Sequence, residues 1–110
     1  MLVRAKWEHD VRILVLSGRF DKSARVPMET ALAKGEGRFC TKVILDFTRV
    51  SSLDSAGIGK LWLLYHTLRR KGVGLMVHNP RPSVEEWLQL VCLPTFIPIT
   101  HDPMGVPSVA

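Results

Sequence analysis

Short apolar runs alternate with stretches of helical periodicity along this chain, and that alternation limits it to a small number of folds. Residues 11–18, 42–47 and 73–77 are rich in Val, Ile and Leu, a composition typical of strands. The stretches between them carry apolar residues at helical spacing. Strands that alternate with helices predict parallel crossover connections. We therefore expect an α/β fold with a mixed sheet, in the order β-β-α-β-α-β-α-β.

The first and the central strands are the easiest to place. Residues 2–7 form a first strand if the polar cluster at 8–10 turns a hairpin into the next apolar run. Residues 42–47 are the clearest strand, because a continuous apolar run is typical of a strand covered on both faces or central in a sheet. We expect a short loop at 48–53 to follow it.

The chain length and the last residues predict a single domain with a tail. With 110 residues, one hydrophobic core is the natural expectation, and we place the domain at 1–100. Residues 96–99 predict a short final strand, and Pro98 favours an edge position because proline donates no hydrogen bond to a neighbouring strand. Residues 101–110 are interrupted by proline and glycine and predict an extended or disordered tail.

Three helices are expected between the strands. Asp21 or Ser23 can cap the first, in which Pro27 is tolerable only within the first turn. The longest spans 55–70, and its apolar stripe is Ile58, Leu61, Tyr65 and Leu68. Ser83 and the glutamates that follow it form a capping-box pattern, which predicts the start of the third helix there.

The charge balance raises the question of a nucleic-acid partner. The chain has 15 Lys and Arg against 10 Asp and Glu, a net charge of +5. The densest basic run, 69–71, ends the longest helix, where cations complement the negative end of the helix dipole. Neither zinc-ligand spacing nor a mixed aromatic and basic RNA-binding pattern accompanies it. We therefore expect no direct contact with nucleic acid.

Cysteine usage and hydropathy indicate a reducing compartment. Cys40 and Cys92 each have apolar neighbours, so we expect two reduced core residues rather than a disulfide framework. No apolar run approaches the roughly 20 residues that a membrane span needs. Charged residues interrupt the first ten positions, which argues against a signal peptide. The sequence therefore predicts a cytoplasmic protein without a membrane association.

An ordered series of motifs carries a family resemblance. The run VILDF at 43–47 is followed by LDSAGIG at 53–59, and LSGRFD at 16–21 precedes both. These motifs resemble the STAS domain of bacterial anti-sigma-factor antagonists, in which a hydrophobic strand ends in Asp and a D-S-[small]-G-[aliphatic]-G turn opens the next helix. The resemblance extends over residues 8–100 and implies a STAS-type mixed β-sheet with its helices packed mainly on one face.

The resemblance implies a partner switch. In that family the unphosphorylated antagonist binds an anti-sigma factor with serine-kinase activity, the kinase phosphorylates the serine that matches Ser55, and a PP2C-type phosphatase resets the protein. No cofactor is implied. The partner-binding residues expected from the motif, with Leu63 added because it lies on the same outer side of the helix, are Asp21, Asp54, Ser55, Ala56, Gly57, Gly59 and Leu63.

Other interpretations of the same residues remain open. Gly57 and Gly59 can serve only to let the helix pack closely against a neighbouring segment. A non-phosphorylated STAS accessory subunit of a transport or signalling assembly is one rival function, and a basic nucleic-acid binder is another. An enzyme is not expected, since Ser55 lies outside a G-x-S-x-G turn and no phosphate-binding or dinucleotide-binding glycine motif occurs. Asp46 lacks the second carboxylate cluster that a metal site needs.

Two departures from the family pattern affect the expected interfaces. Ala56 stands where the family often has serine or threonine, which puts in doubt any role for a second hydroxyl. The proline-interrupted tail leaves little room for the family's usual last helix. If that helix is missing or short, we expect exposed apolar surface, which favours a homodimer.

Overall fold

The structure is a computed structural model that describes residues 1–35 and 37–101. Its sheet has five strands in the spatial order β1-β2-β3-β4-β5. The strands are β1 Leu2–Glu8, β2 Val11–Phe20, β3 Lys42–Leu53, β4 Gly74–His78 and β5 Ile99–Thr100. The helices are α1 Arg25–Ala33, α2 Ser55–Arg70 and α3 Pro82–Leu90, and 3₁₀ turns lie at Lys22–Ala24 and Leu93–Thr95.

The pairing of the strands, together with the right-handedness of crossover connections, decides on which face of the sheet the helices lie. β1 pairs with β2 in antiparallel orientation, through a hairpin in which His9 takes a positive φ of 58°. The pairs β2–β3, β3–β4 and β4–β5 are all parallel. Each crossover moves one strand further across the sheet in the same direction, so right-handed connections place all three helices on one face. The expected mixed sheet and its element order are confirmed, and the final strand lies at the edge. Its predicted position at 96–99 is wrong, because β5 begins only at Ile99, after Pro98, which has no N–H to donate to a strand ladder.

The core lies between that face and the helices. Leu14, Leu45 and Val77 are neighbours across β2, β3 and β4, and all three are fully buried. Side chains from every helix join them in one apolar cluster, among them Met28, Leu61, Leu64, Val84 and Leu88. On α2 the buried stripe uses Leu64, while Tyr65 is only half-buried. Burial of this continuous cluster supplies the main stabilising free energy of the fold.

The predicted loop at 48–53 is wrong, because β3 continues to Leu53. β2 also runs on to Phe20, and the two strands stay paired to the end with two irregularities in register. The first follows Asp46, whose buried carboxylate accepts hydrogen bonds from the backbone N–H and the hydroxyl of Thr48 at 3.0 and 2.6 Å. Backbone pairing therefore extends the strand past its apolar run, and bulges absorb the extra residues.

The helix starts differ in how well they were predicted. The first 3₁₀ turn begins after Asp21, and Pro27 lies in the first turn of α1 as expected. The capping box at Ser83 is wrong, since Arg81 is the N-cap and Pro82 occupies the first helical position. Proline suits that position because the N–H it lacks would have no partner in the helix.

The two cysteines are not a pair of core residues. Both are free thiols, but Cys40 is only half-buried and Cys92 is exposed. α3 ends at Leu90, and Cys92 takes a left-handed conformation, φ 57°, at the turn that follows. That turn carries the side chain out of the core, so the expectation of a core residue is wrong for Cys92, whereas Cys40 packs against the core. The predicted tail beyond His101 lies outside the described residues.

Candidate functional site

The candidate site lies where β2 and β3 end side by side. Phe20 and Leu53 are paired as the last residues of these parallel strands, and Asp21 and Asp54 follow them directly. The carboxyl ends of neighbouring parallel strands are where connecting loops gather in α/β proteins. The sheet therefore brings two predicted carboxylates to the same edge of the molecule.

Asp54 fixes the start of α2. It has extended backbone angles, and its side chain accepts a hydrogen bond from the Gly57 N–H at 2.9 Å. Its carbonyl accepts the first intrahelical bond, from Ile58 at 3.0 Å. Ser55 is thus the first residue of the helix, and it is exposed. The amides of Ser55 and Ala56 precede the first intrahelical bond, so they belong to the donors that a helix leaves free at its N-terminus.

Gly57 has a packing role that its position explains. A Cβ atom at this position would lie 2.1 Å from the carbonyl oxygen of Phe20 and 2.8 Å from side-chain carbons of Phe20 and Leu53. Gly57 is buried. Its geometry therefore supports the close-packing interpretation and leaves it little exposed surface.

Four exposed residues line one side of α2 from its first turn onward. We refer to Ser55, Ala56, Gly59 and Leu63 as the α2 surface. A Cβ atom at Gly59 would have no heavy atom within 4 Å, so the surface is open there. Leu63 is 59% exposed. The spacing predicted from the sequence is thus reproduced, with small residues near Ser55 and an apolar side chain two turns further on.

Asp21 is held locally rather than by α2. The hydroxyl and the backbone N–H of Ser23 donate to its carboxylate at 2.6 and 2.9 Å. These two hydrogen bonds hold the pKa of Asp21 below its usual value, and the positive charge of Arg19 lowers the pKa further. The carboxylate is therefore ionised at neutral pH and adds negative charge to the edge on which Ser55 lies.

A histidine that acted as a base for Ser55 would have to lie beside it, but His66, His78 and His101 lie elsewhere in the fold. His66 is eleven residues from Ser55 along α2, about 16 Å at 1.5 Å per residue. His78 shares a hydrogen bond of 2.8 Å with Thr100, and His101 contacts Glu85 at 2.8 Å. No group of three or more potential metal ligands occurs among the residues that the structure describes. In the same part of the chain, no helix has the length and apolar character that a membrane crossing demands.

Sequence reasoning missed two features of this edge. The serines at 51 and 52 are exposed near the end of β3, where a loop was predicted. The contact between Gly57 and the Phe20 carbonyl was also missed. No local signal announces it, because it joins residues 37 positions apart that meet only through strand pairing.

Comparison with known proteins gives one family and several related structures. The STAS domain family model matches residues 3–103. No curated protein matches the chain. An anti-sigma factor antagonist from Mycobacterium paratuberculosis is 20% identical, with a TM-score of 0.76 over 97% of this chain and 86% of that one.

Two structures of the anti-sigma factor antagonist SpoIIAA are also similar. The unphosphorylated form is 21% identical, with a TM-score of 0.71 over 93% of this chain and 89% of that one. The phosphorylated form, from Bacillus, is 20% identical, with a TM-score of 0.64 over 93% and 92% of the two chains. At these identities the structures show a shared fold.

Proposed function

The chain belongs to the STAS domain family, and from that premise we propose that it is an anti-sigma factor antagonist controlled by phosphorylation of Ser55. In this proposal the unphosphorylated chain binds an anti-sigma factor with serine-kinase activity in the cytoplasm. The kinase phosphorylates Ser55, the complex dissociates, and a PP2C-type phosphatase restores the binding form. The observation that carries the proposal is the exposed Ser55 hydroxyl at the first position of α2, beside an open surface.

Because of the position of Ser55, a phosphate there should lower the stability of the fold only slightly. A phosphoserine carries about −1.5 to −2 charges at neutral pH. The positive end of the helix dipole stabilises an anion at this position by about 0.3–1 kcal/mol. The free amides of the first turn are suited to phosphate oxygens. The carboxylates of Asp54 and Asp21 reduce this gain, but Ser55 is exposed to water and the amides of Ser55 and Ala56 are not taken up by the bond between Asp54 and Gly57.

The same phosphate is costly for a partner that docks on the α2 surface. Ala56 and Gly59 present little side chain, so a partner can approach the helix backbone closely beside Ser55. A dianion at the centre of such a contact must lose its water, and it repels any carboxylate that the partner presents. The modification therefore acts on the interface while the core stays intact.

Leu63 supplies the apolar part of the proposed contact. An exposed leucine alone needs no explanation, but this one continues the small-residue row two turns beyond Ser55. Apolar anchors surrounded by a polar rim are typical of the centres of protein interfaces. The net charge of +5 complements an acidic partner surface.

The direct test is phosphate transfer to a defined serine. The chain is incubated with the cognate anti-sigma kinase and ATP, and the modified residue is located by mass spectrometry of peptides. We expect one phosphate on Ser55 and none in Ser55→Ala. Ser51→Ala and Ser52→Ala are matched controls, because both serines are exposed close to Ser55 in sequence, and both variants should accept phosphate normally.

Two results would contradict the proposal. Phosphate on Ser51 or Ser52 in place of Ser55 would show that the kinase does not recognise the start of α2. No uptake from any anti-sigma kinase encoded beside the gene would favour the non-phosphorylated accessory subunit instead.

A further inference from the structure

A cavity lies near the C-terminal end of α2, the end opposite Ser55. It has a volume of about 380 Å³ and is bounded by the sheet, the C-terminal parts of α1 and α2, and Gly35, Gly37 and Arg38 after α1. That volume falls in the range typical of small-molecule sites. On α2 its wall begins at Leu64, nine residues or about 14 Å along the helix from Ser55. The cavity is therefore separate from Ser55, and where the two regions meet along α2, the exposed Leu63 and the buried Leu64 lie on different sides of the helix.

A buried guanidinium forms part of the wall. Arg12 projects from β2 toward the helices and is only 7% exposed. Its Nη2 donates to the carbonyl of Ala31 at 2.8 Å, which caps the C-terminal turn of α1. Its Nε is buried and has no hydrogen-bond partner among the described residues. Burial lowers the pKa of Arg12, as expected for a cation removed from water.

Two more cations line the same cavity. The Arg38 guanidinium lies 4.2 Å from the centre of the Trp7 ring, and that of Arg12 lies 4.9 Å from the same centre. Lys71, at the end of α2, is the third. Two guanidinium groups therefore contact one indole ring, an arrangement that concentrates positive charge against an apolar surface.

Among the lining residues that the structure describes, the one acidic residue does not balance this charge. Glu29 also lines the cavity, but its carboxylate is held by Lys60 at 3.3 Å and Arg25 at 3.4 Å. The hydrogen bond from Lys60 is the main reason that the pKa of Glu29 lies below its usual value. Among the described lining residues, the cations around Trp7 therefore lack a carboxylate of their own. Arg38 and Lys71 are exposed, and Arg38 donates to the His9 carbonyl at 3.0 Å, so the cost of an unpaired buried cation falls on Arg12. A bound anion would reduce that cost.

We propose that this cavity binds a small organic carboxylate with a branched aliphatic or aromatic body. The carboxylate accepts hydrogen bonds from Arg38 and Arg12, whose planar guanidinium groups match its geometry. The body of the ligand contacts Trp7 and the apolar wall, which consists of Leu32, Val43, Leu64, Leu68 and Val73. A phosphate dianion suits the site less well, because apolar walls penalise a second charge.

The test uses matched charged and neutral probes in an NMR titration. Phenylacetate and 4-methylpentanoate are compared with their amides, and inorganic phosphate is a third probe. The Trp7 indole N–H reports on the cavity, and the indole N–H of the distant, half-exposed Trp87 is the internal control. We expect the carboxylates to shift the Trp7 signal saturably and the amides to bind at least about tenfold more weakly.

Variants keep the test decisive. Arg38→Ala alters an exposed side chain and should fold normally, yet it should weaken carboxylate binding about tenfold. Lys34→Ala removes an exposed cation that does not line the cavity and should change nothing. Arg12→Met removes the buried guanidinium, and the folded variant should also bind the carboxylates more weakly. Equal affinity for amides and carboxylates, unaltered binding by Arg38→Ala, or no saturation below about 10 mM would overturn the proposal. Tighter binding of inorganic phosphate than of either carboxylate would also overturn it.

Discussion

Gly57 and Gly59 lie two positions apart on α2, but a side chain at each would meet opposite surroundings. At Gly57 a Cβ atom would collide with the Phe20 carbonyl at 2.1 Å, and the backbone of β2 cannot move away without breaking its pairing with β3. At Gly59 a Cβ atom would reach only open space. The motif therefore contains one glycine required by packing and one that packing does not require.

Alanine substitution at these two positions should change stability in opposite directions. Gly57→Ala should lower the free energy of unfolding by about 3 kcal/mol or more through overpacking. Gly59→Ala should raise it by about 0.5–1 kcal/mol, because alanine has the higher helix propensity. Urea denaturation of both variants measures the difference. Equal effects at the two positions would show that the contact with Phe20 is not tight.

Residue-level prediction succeeded where the signal is local. The cap at Asp54 and the exposed serine after it could be read from neighbouring residues, since a cap and the first turn are set within four positions. The burial of Gly57 could not, because the atom that excludes a side chain belongs to another strand. The prediction that Cys92 is buried was wrong for a related reason, since its apolar neighbours did not reveal the left-handed turn that exposes it.

At the scale of elements, the starts of α2 and α3 show that one predicted N-cap forms and the other does not. Asp54 accepts a hydrogen bond from Gly57, whereas Ser83 lies inside α3 and Arg81 precedes that helix without a side-chain cap. Both positions carry a residue type favoured at N-caps. Only the placement of Pro82 at the first helical position distinguishes the second case.

Removing the two side chains should therefore have unequal effects. Asp54→Ala should lower the free energy of unfolding by about 1 kcal/mol, because the Gly57 N–H loses its acceptor. Ser83→Ala should stay within about 0.5 kcal/mol of the unaltered chain, as a surface substitution away from a cap does. Chemical denaturation under one set of conditions compares them. If Ser83→Ala lowered the free energy of unfolding as much as Asp54→Ala, Ser83 would be a helix cap after all.

The lengths of elements were predicted less well than their order. The helix 55–70 was placed correctly, since its cap and its apolar stripe are both local signals. β3 was cut short at 47, because its outer half alternates polar and buried residues in an irregular pattern. Pairing with β2 holds that half in place. Such pairing joins residues more than 30 positions apart, such as Phe20 and Leu53, which a local apolar run does not reveal.

At the scale of the whole molecule, the arrangement follows from alternation and handedness. Strands β2 to β5 succeed one another across the sheet, so every crossover helix falls on one face. This much was predictable from the order of elements. The cavity around Arg12 was not, since it needs a strand residue, a helix end and a loop to converge. The fold thus separates Ser55 from that cavity along the length of one helix.

The proposed partner contact predicts a selective effect at Leu63. Leu63→Ala should weaken binding of the anti-sigma factor about tenfold, the loss expected when an apolar side chain leaves an interface. Leu90→Ala is the matched control, because Leu90 is 77% exposed on α3 and lies outside the α2 surface. Isothermal titration calorimetry measures both affinities. Equal losses for the two variants would remove the α2 surface from the interface.

The central claim is that a phosphate on Ser55 breaks the interface and spares the fold. Its most direct measurement is the affinity of the anti-sigma factor for the unphosphorylated chain and for the chain phosphorylated at Ser55, with a two-dimensional NMR spectrum of each form. The account predicts at least about a tenfold loss of affinity, with chemical shift changes confined to the first turns of α2 and the adjoining end of β2. Equal affinities, or shift changes spread through the core, would contradict it.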